Sequence, residues 1–493
     1  MKIALINPPF LTNYGKYSRP SRSPAITKSG TIYYPIILAT AGAVLEKEGH
    51  DVTFIDACAY EYNEIQTIRL VYNANPQIVV IDTSTPSILS DIKFALNLKK
   101  VLPNIFVVLV GPHVTALDED ILKNNDHIDA IARKEYEYTL RELAAKFPIE
   151  GMYAKEIIEP ILSTIDGLTY RIGNKIYKNK DREYINNLDE LPFVTEFYKK
   201  HLDINKYNSS IGYNPLVMIH TGRGCIGKCI FCVYPQIMYG NKYRFRSVEN
   251  IINEFCYIRS ELPEVKTVGI EDDTFTLNKE RVLKVCEELL KLNIAKKIKW
   301  WANTRINTLD YQTMVEMKKA GCYMLIAGFE SGNQNILNNI EKEITIEQSE
   351  KFMLWAKKAG LMVHGCFMIG NFGETKETAR KTIKFAKKLN PDTAQFFPLI
   401  LSPGTKAYNY AKDKKWLKTE DYSKWVTRDG LHNSVIELPG LSSEEVMSLC
   451  KLARREFYLR PKYIFKKINN SIKNKDELIR NIKGFKNLIK HLF

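Results

Sequence analysis

Leu216-Val217-Met218-Ile219-His220-Thr221-Gly222-Arg223-Gly224-Cys225-Ile226-Gly227-Lys228-Cys229-Ile230-Phe231-Cys232 joins a short apolar run to three cysteines spaced C-x3-C-x2-C. Leu216–Thr221 has the length and character of a buried strand, and a tight glycine-containing loop follows it directly. The chain holds nine cysteines. At that frequency the chance of some cysteine having partners at +4 and +7 is about three in a thousand, so the spacing is not accidental. A structural zinc site needs four ligands, and no fourth Cys or His lies close in sequence. Three thiolates on one loop suit a 4Fe–4S cube, which takes four ligands and here keeps one iron open. An open iron is what a chelating substrate needs.

Downstream of this loop, strand-like and helix-like segments alternate through six βα units. The strands read as Leu216–Thr221, Thr267–Glu271, Lys297–Ala302, Tyr323–Phe329, Met362–Ile369 and Thr393–Pro398, separated by helices of 10–16 residues. Six such units predict an incomplete (β/α)6 barrel of TIM type, with its chemistry at the carboxyl ends of the strands. Those ends carry Glu271 and Asp272, Asn303 and Arg305, Glu330 and Ser331, and Gly370.

Upstream, residues 1–145 show five more units. Ile3–Asn7, Val52–Asp56, Ile78–Asp82, Phe106–Gly111 and Ile128–Ala132 are short, β-branched and nearly continuous in apolar character, as central parallel strands are. Helical patterns lie over 36–48, 62–74, 87–101, 115–123 and 136–146. The fold class is therefore α/β, with a doubly wound, flavodoxin-like or Rossmann-like sheet ahead of the barrel. Its strand ends carry Asn7-Pro8-Pro9, Thr83-Ser84-Thr85, Gly111-Pro112-His113 and Glu135. No G-x-G-x-x-G follows the first strand and no Walker-type loop occurs, so nicotinamide and ATP readings lack support. The expected domains are 1–146, a connector over 147–212 with a small hairpin at Gly173-Asn174, the barrel over 213–405, and a C-terminal helical region over 406–493.

Composition is that of an ordinary globular protein, 45% hydrophobic and 26% charged. The first residues lack a signal-peptide pattern and no apolar run reaches membrane-spanning length, so the expected location is the cytoplasm. Disulfides are not expected there, and Cys58, Cys256, Cys286, Cys322, Cys366 and Cys450, scattered among apolar residues, read as core side chains. Of the formal charge of +15, residues 461–493 supply nine Lys/Arg against Asp476 and Glu477, a net +7. The remainder is a mildly basic surface, weak grounds for a nucleic-acid partner.

The cysteine loop, with Phe231 just before its last cysteine, resembles the cluster motif of radical S-adenosylmethionine enzymes. The resemblance implies that the open iron is chelated by the amino and carboxylate groups of S-adenosylmethionine. An electron then breaks the sulfonium bond to release a 5′-deoxyadenosyl radical, and an external donor such as flavodoxin or ferredoxin supplies that electron. By the same resemblance Glu271 and Asp272 lie where the methionine amino group is contacted, although the segment is not a literal Gly-Gly-Glu. Asn303 and Arg305 end the third strand among the expected cofactor contacts, with Arg305 placed to pair with the cofactor's carboxylate through both nitrogens; Glu330 and Ser331 lie at its ribose, and Gly370 on its adenine side. Glu330 and the nearby Glu374 also read simply as caps of the helices that follow.

The order of doubly wound domain, connector, six-unit barrel and helical tail is similar to cobalamin-binding radical S-adenosylmethionine enzymes, the methyltransferase-like class. Asn7-Pro8-Pro9, Tyr34-Pro35, Gly111-Pro112-His113, Glu135-Tyr136-Glu137 and Phe457-Tyr458-Leu459-Arg460-Pro461 carry that likeness. It implies cobalamin at the front strand ends, touching Asn7, Pro8, Pro9, Thr83, Ser84, Thr85, Gly111, Pro112, His113 and Glu135. The D-x-H-x-x-G signature that gives a histidine to cobalt in another class is absent, as is usual for this family. The implied reaction is methyl transfer to an unactivated carbon of a small or lipid-like molecule held between the domains. A ring-closing, ring-contracting or oxidising enzyme of the same family is a rival reading. An RNA methylthiolation enzyme would carry further cluster cysteines in the front domain, where Cys58 is alone. A cobalamin or redox sensor would need an output domain, and none is visible. Finally, Leu478, Ile482, Phe485, Ile489 and Leu492 recur at helical spacing beside Lys483, Lys486 and Lys490. This predicts a basic amphipathic helix, docked on the protein itself or lying on an anionic membrane surface.

Overall fold

The computed structural model describes residues 1–27, 30–148 and 155–473. Strands β1 (Lys2–Asn7), β2 (Asp51–Asp56), β3 (Ile78–Asp82), β4 (Phe106–Val110) and β5 (Ala130–Ala132) pair in parallel in the order β2-β1-β3-β4-β5. Both faces are covered by helices, which is why runs such as Ile78-Val79-Val80-Ile81 are apolar without alternation. The chain reverses direction across the sheet between β1 and β3, and their carboxyl ends open the crevice that such a reversal creates.

Two features of the front sheet differ from the sequence reading. The helix expected over 115–123 is two short helices, Pro112–Ala116 and Asp118–Asn124. Pro112 starts the first immediately behind Gly111, and Asp118, Glu119 and Asp120 favour a second amino terminus. The hairpin at Gly173-Asn174 forms as β6 (Leu168–Ile172) and β7 (Lys175–Lys178), but it is not part of a separate connector. β6 pairs antiparallel with β5 and extends the front sheet to seven strands.

The second sheet consists of β8 (Leu216–Ile219), β9 (Thr267–Ile270), β10 (Lys299–Thr304), β11 (Cys322–Glu330), β12 (Met362–Ile369) and β13 (Thr393–Pro398), all parallel and in chain order. β10 begins two residues later than the apolar pattern suggests, because a 3-10 turn at Ile294–Lys296 ties the amides of Lys297 and Ile298 to the Ile294 carbonyl. The barrel is open, so β8 and β13 are edges that must be blunted. On one side the Tyr34 hydroxyl donates to the Leu216 carbonyl (2.9 Å) and Tyr198 to that of Met218 (3.1 Å). Tyr34 comes from the front domain and stacks on Tyr207 at 3.9 Å. On the other side the Tyr458 hydroxyl donates to the Ala394 carbonyl and accepts from its amide, while Arg454 donates to the Phe396 carbonyl. Both residues sit on the helix Ser443–Tyr458, started by a capping box between Ser442 and Glu445.

One hydrophobic core runs from Leu5 and Val80 of the front sheet through Tyr198 to Leu325 of the barrel, and a smaller core covers the other face of the front sheet around Ile6, Val79 and Leu109. The two sheets are thus fused by packing, with their strand ends facing one another. Among the described residues no helix is long and apolar enough to cross a membrane. The amphipathic segment 478–493 lies outside them.

Candidate active site

The cysteine loop grows from a two-residue ribbon in which Gly222–Arg223 pairs antiparallel with Arg244–Phe245. Gly224 turns the chain out of this ribbon with φ +87°, where a Cβ would stand 2.1 Å from the Lys242 carbonyl oxygen, so only glycine fits. Beyond the loop a π-helical turn, Tyr234–Tyr239, carries Gln236. Its amide nitrogen donates to the carbonyls of Cys229 (3.1 Å), Ile230 (3.0 Å) and Cys232 (2.9 Å), clamping the loop from behind.

All three cysteines are free thiols; Cys225 and Cys229 are buried and Cys232 half-buried. The Gly227 amide points at Cys225 Sγ (3.4 Å), and Arg305 Nη1 lies 3.6 Å from Cys229 Sγ. Burial pushes the Cys232 thiol up to about 12; Asp273 and the other two cysteines add to the rise and Arg22 opposes it. The three thiols are therefore within electrostatic reach of one another. Among the described residues no three His, Cys, Asp or Glu side chains converge as ligands of one ion would, so a single tetrahedral metal would require the loop to close in. Soft donors without disulfide partners, amide and guanidinium groups aimed at sulfur, and nearby cations fit an iron–sulfur cluster whose thiolates carry negative charge.

The barrel strand ends sort into distinct roles. Glu271 is buried and accepts from Trp301 Nε1 (3.0 Å) and Asn303 Nδ2 (3.1 Å); burial raises its pKa. Asp272 does not face the site, contrary to the sequence reading. It accepts from the amide and the hydroxyl of Thr221 (both 2.6 Å) and from Tyr243, so it fastens β9 to the end of β8. Arg305 is likewise engaged: besides Cys229, its guanidinium donates to the Lys342 carbonyl (2.7 Å) and lies 3.8 Å from Glu343. Glu330 sits in the left-handed region (φ +60°) and forms a buried ion pair with Lys342 at 2.7 Å. The Ser331 hydroxyl contacts Thr382 (3.1 Å) and accepts from the Asn333 amide, a turn-forming role. Phe231 packs half-buried against the core.

The Gly370 and Asn371 amides donate to Glu374 Oε2 (2.5 and 3.2 Å), while Glu374 Oε1 has no partner. Burial pushes this carboxyl from 4.5 up to about 7. Between those values the folded chain keeps a proton that the unfolded chain has lost, so this group's contribution to stability declines as pH rises through the window. Glu374→Gln is therefore expected to raise the urea midpoint, relative to the unaltered chain, more at pH 8 than at pH 5. Equal effects at both pH values would dismiss this assignment.

In the front domain, Thr83, Ser84, Thr85, Gly111 and Pro112 line the crevice. Gly111 has φ +116°, and a Cβ there would meet the Thr83 carbonyl oxygen at 2.5 Å. The other expected contacts stand behind this wall. Asn7 donates to Asp56 (2.7 Å) and accepts from Arg19, and the Pro8 carbonyl accepts from Arg19 (2.8 Å) and from the Cys58 thiol; Pro9, next in the chain, is also off the lining. His113 is buried, its ring edge-on to Tyr422, and burial pushes it down to about 3, so it is neutral. Glu135 belongs to an interdomain ion-pair box. It takes Arg244 through both oxygens (2.8 Å each) and Arg223 at 3.3 Å, while Glu137 takes Arg223 at 2.7 Å. A carboxylate so occupied has no oxygen left for a cofactor.

The strand ends of both sheets open on one shared cavity. Front-sheet residues Asp82 to Pro86 form one wall, and Glu271, Asp273 and the cluster-loop neighbours Val233 and Tyr234 form the other. Sequence reasoning missed Arg22, Tyr33, His220, Trp425 and His432, which also line it. His220 directly follows the strand that leads into the cysteine loop, and the others come from irregular segments without periodic pattern, with Tyr34-Pro35 beside Tyr33 as the local signal.

Comparison with known proteins agrees with this geometry. Residues 219–386 match the Radical SAM superfamily and residues 22–144 the B12 binding domain. The "Uncharacterized methyltransferase PH0819" of Pyrococcus horikoshii is 33% identical over 468 residues, 95% of each chain. An anaerobic magnesium-protoporphyrin IX monomethyl ester cyclase of Rubrivivax gelatinosus is 26% identical, covering 79% of this chain and 68% of its own. Among solved structures, the radical S-adenosylmethionine methyltransferase TsrM of Kitasatospora setae, with cobalamin and a 4Fe–4S cluster bound, superposes with a TM-score of 0.68 at 15% identity, over 94% of this chain and 91% of its own. With one-third identity to a relative along nearly its whole length and both domains matched, the chain belongs to the cobalamin-binding radical S-adenosylmethionine enzymes.

Proposed function

We propose that the protein is a cobalamin-dependent methyltransferase that acts on an unactivated carbon of a small or lipid-like molecule entering between the two sheets. The observation that carries this reading is the shared cavity, onto which the cysteine-loop side of the barrel and the crevice of the front sheet both open. When bound, the cluster would supply the electron that cleaves S-adenosylmethionine and the corrinoid would carry the methyl group.

The chain's own residues position and enclose. Gln236 fixes the loop that presents the thiols. Trp301 and Asn303 hold the Glu271 carboxylate at the cavity wall, where it can accept from a cationic amino group. Thr83, Ser84 and Gly111 offer small side chains and bare backbone, so a flat macrocycle can approach the front sheet closely. Tyr33, Tyr234 and Trp425 narrow the space between and exclude water.

The methyltransferases among the relatives support methyl transfer, and the cyclase among them favours radical ring closure as a second reading. An anaerobic assay of the reconstituted full chain, given cobalamin, a one-electron donor and a trial substrate, separates the two. About one S-adenosylhomocysteine and one 5′-deoxyadenosine per product is the expected result for methylation. Deoxyadenosine without homocysteine would replace it with the cyclase reading.

A further inference from the structure

We infer that Arg22, a residue of the front domain, is a positioning and potential-setting residue for the iron–sulfur cluster of the barrel. Its guanidinium crosses the cavity wall, donating to Asp273 Oδ1 at 2.7 Å and to the Glu271 carbonyl at 3.0 Å. It also lies over the Tyr234 ring, 4.9 Å from the centroid. These contacts bracket the cysteine loop. The second oxygen of Asp273 accepts from the Gly224 amide at 2.8 Å, immediately before Cys225, and Tyr234 stands two residues after Cys232. The Asp273 side chain is 2% exposed and that of Arg22 38%, the latter opening toward the cavity that Arg22 lines.

A cation held against the residues that bracket the cysteine loop stabilises the added electron of the reduced cluster. The cation belongs to the other domain, so the ease of reducing the cluster depends on how the front-domain loop is seated. Arg305 and Lys342 supply positive charge from the barrel itself; Arg22 is the contribution that the front domain makes.

The inference rests on the cluster reading above, and the test separates the two. Full-length protein, reconstituted with iron and sulfide, is titrated with dithionite under redox mediators while the reduced cluster is followed by electron paramagnetic resonance. Absence of any cluster in the unaltered chain would remove the reading itself. With the cluster present, Arg22→Gln is expected to make reduction about tenfold less favourable, a shift of about 59 mV downward for one electron. Asp273→Asn should move it the opposite way, because a negative charge is lost. Arg22→Lys keeps the charge but not the forked geometry, and should stay near the unaltered potential; it also decides the matter if the glutamine variant fails to load iron. A loaded Arg22→Gln protein with an unchanged potential, or a lysine variant shifted like the glutamine one, would overturn the inference.

Discussion

Cys229→Ala is expected to give a folded protein that retains little cluster iron and forms 5′-deoxyadenosine more than about a thousandfold more slowly than the unaltered chain. Cys229 is one of three thiols on a loop whose carbonyls are clamped by Gln236, and Arg305 Nη1 stands 3.6 Å from its sulfur. Losing one of three protein ligands leaves a cube with two open irons, which is prone to lose iron. The fold should survive, because the substitution removes one small atom group from an irregular segment; about 1 kcal/mol of destabilisation is the scale to expect. Cys286→Ala is the matching control. That thiol is buried in the helix Lys279–Lys291, outside the cysteine loop, and is the only cysteine of that helix, so it has no part in holding the cluster. Iron and sulfide content, the resonance signal of the reduced cluster and the rate of deoxyadenosine formation would be measured on both variants. Normal deoxyadenosine formation by Cys229→Ala would contradict the assignment of the loop.

What the sequence made legible follows from how far apart the deciding residues lie. The parallel strands announced themselves because burial on both faces leaves runs such as Phe106–Val110 uniformly apolar, a local property. The cysteine loop was legible for the same reason, since its ligands occupy eight consecutive positions. The pairing of Leu168–Ile172 with Ala130–Ala132 was not, because hairpin propensity says nothing about which sheet a hairpin joins. Roles of single polar residues were harder still. Asp272 and Glu271 are neighbours in sequence, yet one faces Thr221 and Tyr243 while the other faces the cavity, and only the register of β9 against β8 decides between them. Arg305 looked free to grip a carboxylate because Lys342 and Glu343, which occupy it, lie 37 and 38 positions away. Arg22 and Trp425 could not be anticipated: they belong to irregular segments brought to the cavity from opposite ends of the chain.

Glu137→Ala should produce the largest loss of stability among the interdomain contacts, about 3–5 kcal/mol. Glu137 is fully buried, Arg223 is 2% exposed, and their contact is 2.7 Å. The box holds two carboxylates and two guanidiniums, so it is neutral as a whole. Deleting Glu137 leaves Arg223 and Arg244 sharing Glu135 alone, one uncompensated positive charge far from water. Removing an exposed pair such as Lys418 with Glu444, whose side chains are 43% and 70% exposed, should change stability by less than about 1 kcal/mol. The consequence reaches the chemistry, because Arg223 lies on the ribbon that carries the cysteine loop, two residues before Cys225. Unfolding of two fused sheets need not be two-state, so the readouts are the midpoint of the first denaturant transition and hydrogen exchange across residues 222–245. Glu137→Leu combined with Arg223→Met should recover much of the loss, since apolar groups of similar size leave no charge unpaired. If Glu137→Ala unfolds at the same denaturant concentration as the unaltered chain, the carboxylate does not hold the ribbon, and the seating of the cysteine loop must depend on Gly224, Asp273 and Gln236 instead.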